Sequence, residues 1–186
     1  MKVFKTGIMV GRFQHIHVGH EKLITVGLTL CDKFLVFIGS AQESETEKNP
    51  FNVEYRKELI SRIFSKEIKE GRLIIKPLND FEDKSELSPR WGEYVLNEAK
   101  KNLNDFPELI IYGKDKDIFK CFDKETVKNI TEILVDRNVL NISATQIREY
   151  ILNDNKEEWK KFVNKNIYDE YENLRKILMK VYCKKM

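Results

Sequence analysis

Five short apolar runs punctuate this sequence, at Phe4–Val10, Lys33–Gly39, Leu73–Ile75, Leu109–Gly113 and Ile130–Val135. Runs this short and this apolar suit strands buried on both faces, as in a parallel sheet. The stretches between them repeat apolar residues at helical spacing. Leu23, Ile24, Leu28 and Leu30 follow the first run; Leu59, Ile60, Ile63 and Phe64 follow the second; Trp91, Tyr94, Val95 and Ala99 follow the third. Strands alternating with helices predict a doubly wound, five-stranded parallel α/β sheet with right-handed crossovers. From Asn155 the pattern is helical and charged, with Trp159, Ile167, Tyr171, Leu174, Leu178 and Val181 as its apolar positions. The chain therefore reads as one domain over residues 1–186, with a helical C-terminal part from about residue 143.

Local signals mark several helix starts. Asn52 can cap the helix after the second strand, Ser88-Pro89 has the favoured cap-then-proline order, and Ser143 with Gln146 reads as a capping box. The most polar junction lies between the first strand and its helix, which is expected to begin near Val18. Gly11-Arg12-Phe13-Gln14-His15-Ile16-His17-Val18-Gly19-His20 carries far more chemistry than a connector needs. A helix N-terminus offers unpaired N–H groups and the positive end of its dipole, so this junction suits a phosphate. Gly19, with no β-carbon, would let the anion approach closely. His17 and His20 fall on the same side of the first turn. A transition-metal site at His15, His17 and His20 is the competing reading, but it has no obvious carboxylate or thiolate partner and gives Gly19 no role.

The other polar stretches also follow strands: Gly39–Asn49, Asn79–Trp91, Gly113–Asp117 and Ile142–Arg148. In open parallel sheets ligands bind beyond the carboxyl ends of the strands, so these stretches are expected to converge on one edge. Composition agrees with small anionic partners. A formal charge of +3 is too mild to argue for nucleic acid, and no apolar run approaches the ~18 residues of a membrane span. Cys31, Cys121 and Cys183 form neither a disulfide framework nor a zinc pattern, and the chain reads as cytoplasmic.

Gly11-Arg12-Phe13-Gln14 with His17-x-Gly19-His20 resembles the phosphate-binding signature of the nucleotidyltransferase superfamily. Ile142-Ser143-Ala144-Thr145-Gln146-Ile147-Arg148 resembles that superfamily's Ile-Ser-x-Thr-x-x-Arg motif. The loop Ser40-Ala41-Gln42-Glu43-Ser44, with Thr46, Asn49-Pro50-Phe51 and the following Arg56, is similar to the matching segment of archaeal-type nicotinamide-mononucleotide adenylyltransferases. The resemblance covers about residues 1 to 165. It departs at His15, where the family usually has proline.

The resemblance implies a Rossmann-like fold and transfer of the adenylyl group of ATP to nicotinamide mononucleotide, giving NAD and pyrophosphate, with Mg²⁺ carried in on ATP. It implies catalytic roles for His17, His20 and Arg148. ATP would further meet Gly11, Arg12, Phe13, Gln14, Gly19, Gly113, Asp115, Ile142, Ser143 and Thr145. The mononucleotide would meet Ser40, Ala41, Gln42, Asn49, Arg56, Asp80 and Trp91. Several of these have a plainer reading. Arg56 can snorkel to water, Trp91 can be core, and Asp83 rivals Asp80 as the substrate acceptor. Another superfamily transferase acting on phosphopantetheine, FMN or a cytidylyl substrate, or a non-catalytic nucleotide sensor, is the alternative function. A homo-oligomer is compatible with all of these readings.

Overall fold

β1 (Phe4–Gly11) is the central strand of a five-stranded sheet, all of whose pairings are parallel. The computed structural model describes residues 2–80, 88–113, 121–135 and 142–183. β2 (Cys31–Ile38) and β3 (Leu73–Pro77) lie to one side of β1, while β4 (Leu109–Gly113) and β5 (Thr131–Val135) lie to the other. The order β3-β2-β1-β4-β5 reverses direction at β1, and that reversal opens a crevice at the carboxyl ends of β1 and β4. The expected Rossmann-like α/β architecture is the observed one.

Alternating side chains of the buried strands feed two apolar layers. Phe34, Val36 and Ile38 of β2 enter one, together with Leu109 and Ile111 of β4. Leu35, Phe37, Ile110 and Tyr112 enter the other. The first layer is covered by α1 (Val18–Leu30), α2 (Val53–Ile63) and the C-terminal helices α6 (Ala144–Leu152), α7 (Lys156–Lys160) and α8 (Tyr171–Tyr182). The second is covered by α4 (Pro89–Leu103) and α5 (Lys124–Val127). α1 lies so close to β2 that a β-carbon on Gly27 would sit 2.3 Å from the Phe34 ring, so glycine is required there.

The three anticipated caps are present. Asn52 Oδ1 accepts from the Tyr55 amide at 2.8 Å, Ser88 caps α4 ahead of Pro89, and Ser143 and Gln146 form a reciprocal capping box. β2 starts at Cys31, immediately after α1 ends at Leu30, so the two elements share no connecting loop. α3 (Ser65–Lys69) and α5 were not apparent from periodicity. Helices of four or five residues are too short to display an apolar stripe. A 3₁₀ turn (Lys165–Glu170) links α7 to α8. No described helix is long and apolar enough to cross a membrane.

Candidate nucleotide-binding site

The turn between β1 and α1 is built by its own side chains. Phe13 sits at φ 50°, a left-handed conformation that is uncommon for a large residue, and its ring is buried under the turn. His17 is the N-cap of α1, its Nδ1 accepting from the Gly19 amide at 3.1 Å. That acceptor role puts the neutral ring's proton on Nε2. The rings of His17 and His20 lie 4.0 Å apart, and Phe13 packs 4.9 Å from His20. The two imidazoles thus share one side of the first helical turn, as their spacing predicts.

Backbone amides of this turn are less available than the helix N-terminus suggested. The Val18 N–H donates to Phe162 O at 2.8 Å, and the Gly19 N–H is engaged by His17. These two N–H groups are therefore already committed within the protein.

Distant parts of the chain converge on the turn. The Gln14 side chain is clamped to Phe51, donating to its carbonyl at 3.0 Å and accepting from its amide at 2.9 Å. Its amide group thus fastens the loop after β2 to the turn. Arg148 of α6, 134 positions downstream, donates through Nη1 to the Gln14 carbonyl and through Nη2 to Thr145 Oγ1 at 3.4 Å. Arg148 is 9% exposed, and its Nε has no partner among the described residues; the same is true of Arg12 Nη1. Two guanidinium groups with unused buried donors call for an anion.

His15 is wholly buried, and its Nε2 accepts from the Trp159 indole at 3.0 Å. Burial holds its pKa down at about 3, with the nearby His17 and Arg148 pushing the same way. It is a neutral acceptor, facing away from solvent, and the metal reading of the three histidines loses one of its members.

Arg56 departs from the expected phosphate contact. Its side chain is 1% exposed and its guanidinium grips main-chain carbonyls: Nη1 donates to Arg12 O and Gly39 O, each at 2.8 Å, Nη2 to Ser40 O at 3.1 Å, and Nε to Asn52 O at 3.2 Å. Four of its five N–H groups are thereby committed, to the ends of β1 and β2 and to the cap of its own helix. Burial pushes its pKa down to about 10, with Asp80 opposing and Arg12 assisting, so it remains charged at neutral pH. It neither snorkels to water nor stands open to a ligand.

The loops after β2 and β3 are laced together. The Ser40 amide donates to Asp80 Oδ1 at 3.3 Å, the Asp80 amide to Gln42 Oε1 at 3.1 Å, and the Ala41 amide to Leu78 O at 3.1 Å. Ser40 has φ 48°, so both β1 and β2 hand over to their loops near a left-handed residue. Asn49 is fully buried, its amide nitrogen bonded to Glu43, its main-chain N–H donating to Thr46 Oγ1 at 3.0 Å and its Oδ1 without a partner among the described residues. Trp91 stands half-buried in the first turn of α4 with its ring 6.2 Å from Phe122. Gly11 and Gly113 end β1 and β4; Ile142, Ser143 and Thr145 lead into α6, the last two exposed. Asp83 and Asp115 lie outside the described residues. Among the described residues no group of three His, Cys, Asp or Glu side chains is placed to hold a metal.

Sequence reasoning missed the Trp159–His15 bond and the Gln14 clamp. A buried tryptophan needs a partner for its N–H, and that demand was the available signal, but nothing local named His15 as the answer.

A family model described as cytidylyltransferase-like matches residues 8–150. The nicotinamide-nucleotide adenylyltransferase of Saccharolobus solfataricus is 30% identical over 164 residues, which is 87% of each chain. That of Thermococcus kodakarensis is 29% identical over 164 residues, covering 88% of this chain and 80% of the relative. Among solved structures, a bifunctional NMN adenylyltransferase/ADP ribose pyrophosphatase from Francisella tularensis, complexed with AMP and a manganese ion, shares the fold with a TM-score of 0.72 at 20% identity. The match covers 98% of this chain but only 53%, about half, of the Francisella chain.

Proposed function

The chain belongs to the cytidylyltransferase-like family, and from that premise we propose that it joins nicotinamide mononucleotide to ATP, giving NAD and pyrophosphate. The observation that carries the reading is the meeting of two distant segments on one turn. His17 and His20 pair at its helical side, while Arg148 hydrogen-bonds the turn's own main chain from 134 residues away.

In this reading a phosphate oxygen of the mononucleotide attacks the α-phosphorus of ATP. A new P–O bond forms, the bond to the bridging oxygen of the β-phosphate breaks, and pyrophosphate leaves with the electron pair. The nucleophile is already an anion, so no protein base has to take its proton. The protein aligns the two phosphates and neutralises charge that grows on the leaving group. His17 donates through Nε2, His20 stands beside it, and the unused guanidinium donors of Arg12 and Arg148 face the same charge. A divalent cation such as magnesium, carried in on the triphosphate with few protein ligands, would add to that neutralisation when bound.

The mononucleotide lies between the loops after β2 and β3, with Trp91 offering a ring for the base and Asp80 its remaining carboxylate oxygen. Ser40, Ala41, Gln42 and Asn49 shape that pocket through their main chain and their mutual bonds. Arg56 acts behind it, holding the loop backbone rather than the substrate. The reaction is assigned to residues 1–186 as a single unit acting in the cytoplasm on small nucleotides.

Pyrophosphate release with ATP and nicotinamide mononucleotide, with nicotinic acid mononucleotide, or with neither tests this directly. Release that depends on a pyridine mononucleotide, with the dinucleotide as co-product, is expected. Binding of ATP with no release from any mononucleotide would instead make the chain a sensor. Turnover confined to CTP, FMN or phosphopantetheine substrates would make it a different transferase.

A further inference from the structure

Five hydrogen bonds from distant parts of the chain hold the stretch from Gln14 to Val18, and three of them come from the C-terminal part, two from helices and one from the turn after α7. Arg148 of α6 takes the Gln14 carbonyl, the Trp159 indole of α7 donates to His15 Nε2, and Phe162 O accepts from the Val18 amide. The other two form the Gln14–Phe51 clamp. The Trp159 bond differs from the others because it joins two side chains that are both fully buried, so neither can turn to water if the other is lost. Trp159 is itself fixed by the rings of Tyr168 and Tyr171, 5.8 and 5.1 Å away. α7 has only five residues and gains its position from that packing rather than from its own hydrogen bonds. A proline at position 15 could not accept this bond.

Building on the adenylyltransferase reading, we infer that His15 is a positioning residue for adenylyl transfer: its Nε2, fastened to the Trp159 indole, sets the His17–His20 pair against the C-terminal helices. His15 reaches neither solvent nor the reacting atoms. It acts by fixing the main chain two residues before the N-cap histidine. Misplacing reacting groups by about 1 Å can cost on the order of 100-fold in rate. Loss of this bond should therefore lower kcat with little change in mononucleotide affinity.

Trp159→Phe keeps the ring packing and removes only the donor, and it carries the test alone should His15→Leu fail to fold. Expected for either variant is a fall in kcat of about 10- to 100-fold, with the mononucleotide KM within about twofold of the parent. The double variant should be no slower than the worse single one, because both remove the same bond. His15→Asn keeps an acceptor and should recover most of the lost rate. A second readout needs no turnover: the Trp159 indole N–H resonance should shift when ATP is added to the parent and stay unmoved by ATP in His15→Leu. A Trp159→Phe protein that melts with the parent and keeps its kcat would overturn the inference, as would an indole resonance indifferent to ATP. If the parent released no pyrophosphate while its indole still answered ATP, the adenylyltransferase reading would fall and the coupling of turn to α7 would stand.

Discussion

Replacing Arg56 by alanine separates a residue that touches substrate from one that builds the site. Its guanidinium serves four carbonyls, but the loss falls unevenly on them. Ser40 O also accepts from the Glu43 amide at 3.2 Å, and Asn52 O from the Arg56 amide at 3.2 Å, so these two keep a partner. Among the described residues Arg12 O and Gly39 O accept no other main-chain bond in the turns and loops, and they lie just past the ends of β1 and β2. An orphaned buried polar group costs about 1–3 kcal/mol, so two should cost roughly 2–6 kcal/mol. For a chain of this size that corresponds to a fall in Tm of about 4–24 °C at roughly 2–4 °C per kcal/mol. Thermal or urea unfolding of Arg56→Ala measures it, with the mononucleotide KM followed in parallel. Both should move together, because the loop that the arginine holds is the one proposed to shape the pocket. Arg56→Lys should rescue little, since one ammonium cannot span carbonyls reached by a planar fork. A variant that melts within about 2 °C of the parent, yet binds the mononucleotide far more weakly, would refute the reasoning and return Arg56 to direct phosphate binding.

Two further outcomes follow from the same site. His20→Ala should lose about 100- to 1,000-fold in kcat while its melting temperature stays near the parent's, since it removes a charge-facing group and no structural cap; steady-state pyrophosphate release and thermal unfolding decide it. Stability should fall on acidification below about pH 6.5, because unfolded His15 takes a proton there whereas the buried ring resists until about pH 3. The slope attributable to this one group is at most about 1.4 kcal/mol per pH unit, is absent above the unfolded value, and should disappear in His15→Asn; urea unfolding at several pH values reads it.

Much of this architecture is written locally. Asn52, Ser88 and Ser143 announce their helices because a cap is a bond to an amide three residues on, and a sequence displays that spacing. The buried strands announce themselves by apolar content alone. The pairing of His17 with His20 is equally local, being one helical turn. The role of Arg56 was not legible. Helical spacing gives its buried face, but its partners at Arg12 and Gly39 lie 44 and 17 positions away, and no spacing rule names them. Trp159 met the same obstacle: its need for an acceptor is evident in any buried indole, while the acceptor is 144 residues earlier. The Gln14 side chain, read as facing ATP, is committed to Phe51 for a similar reason, since a primary amide matches a peptide group as well as it matches a ligand.

The long reach between Gln14 and Arg148 has a consequence during synthesis. A ribosome delivers the turn first, and at about 5–20 residues per second the 134 positions to Arg148 take roughly 7–27 s to emerge. Throughout that interval a nascent chain holds the imidazoles of the β1–α1 turn without the arginine and helices that brace them. The turn is therefore braced late and all at once, when the segment carrying Arg148 and Trp159 docks, and a product terminated before Arg148 would carry the histidines of the turn without the contacts that hold them.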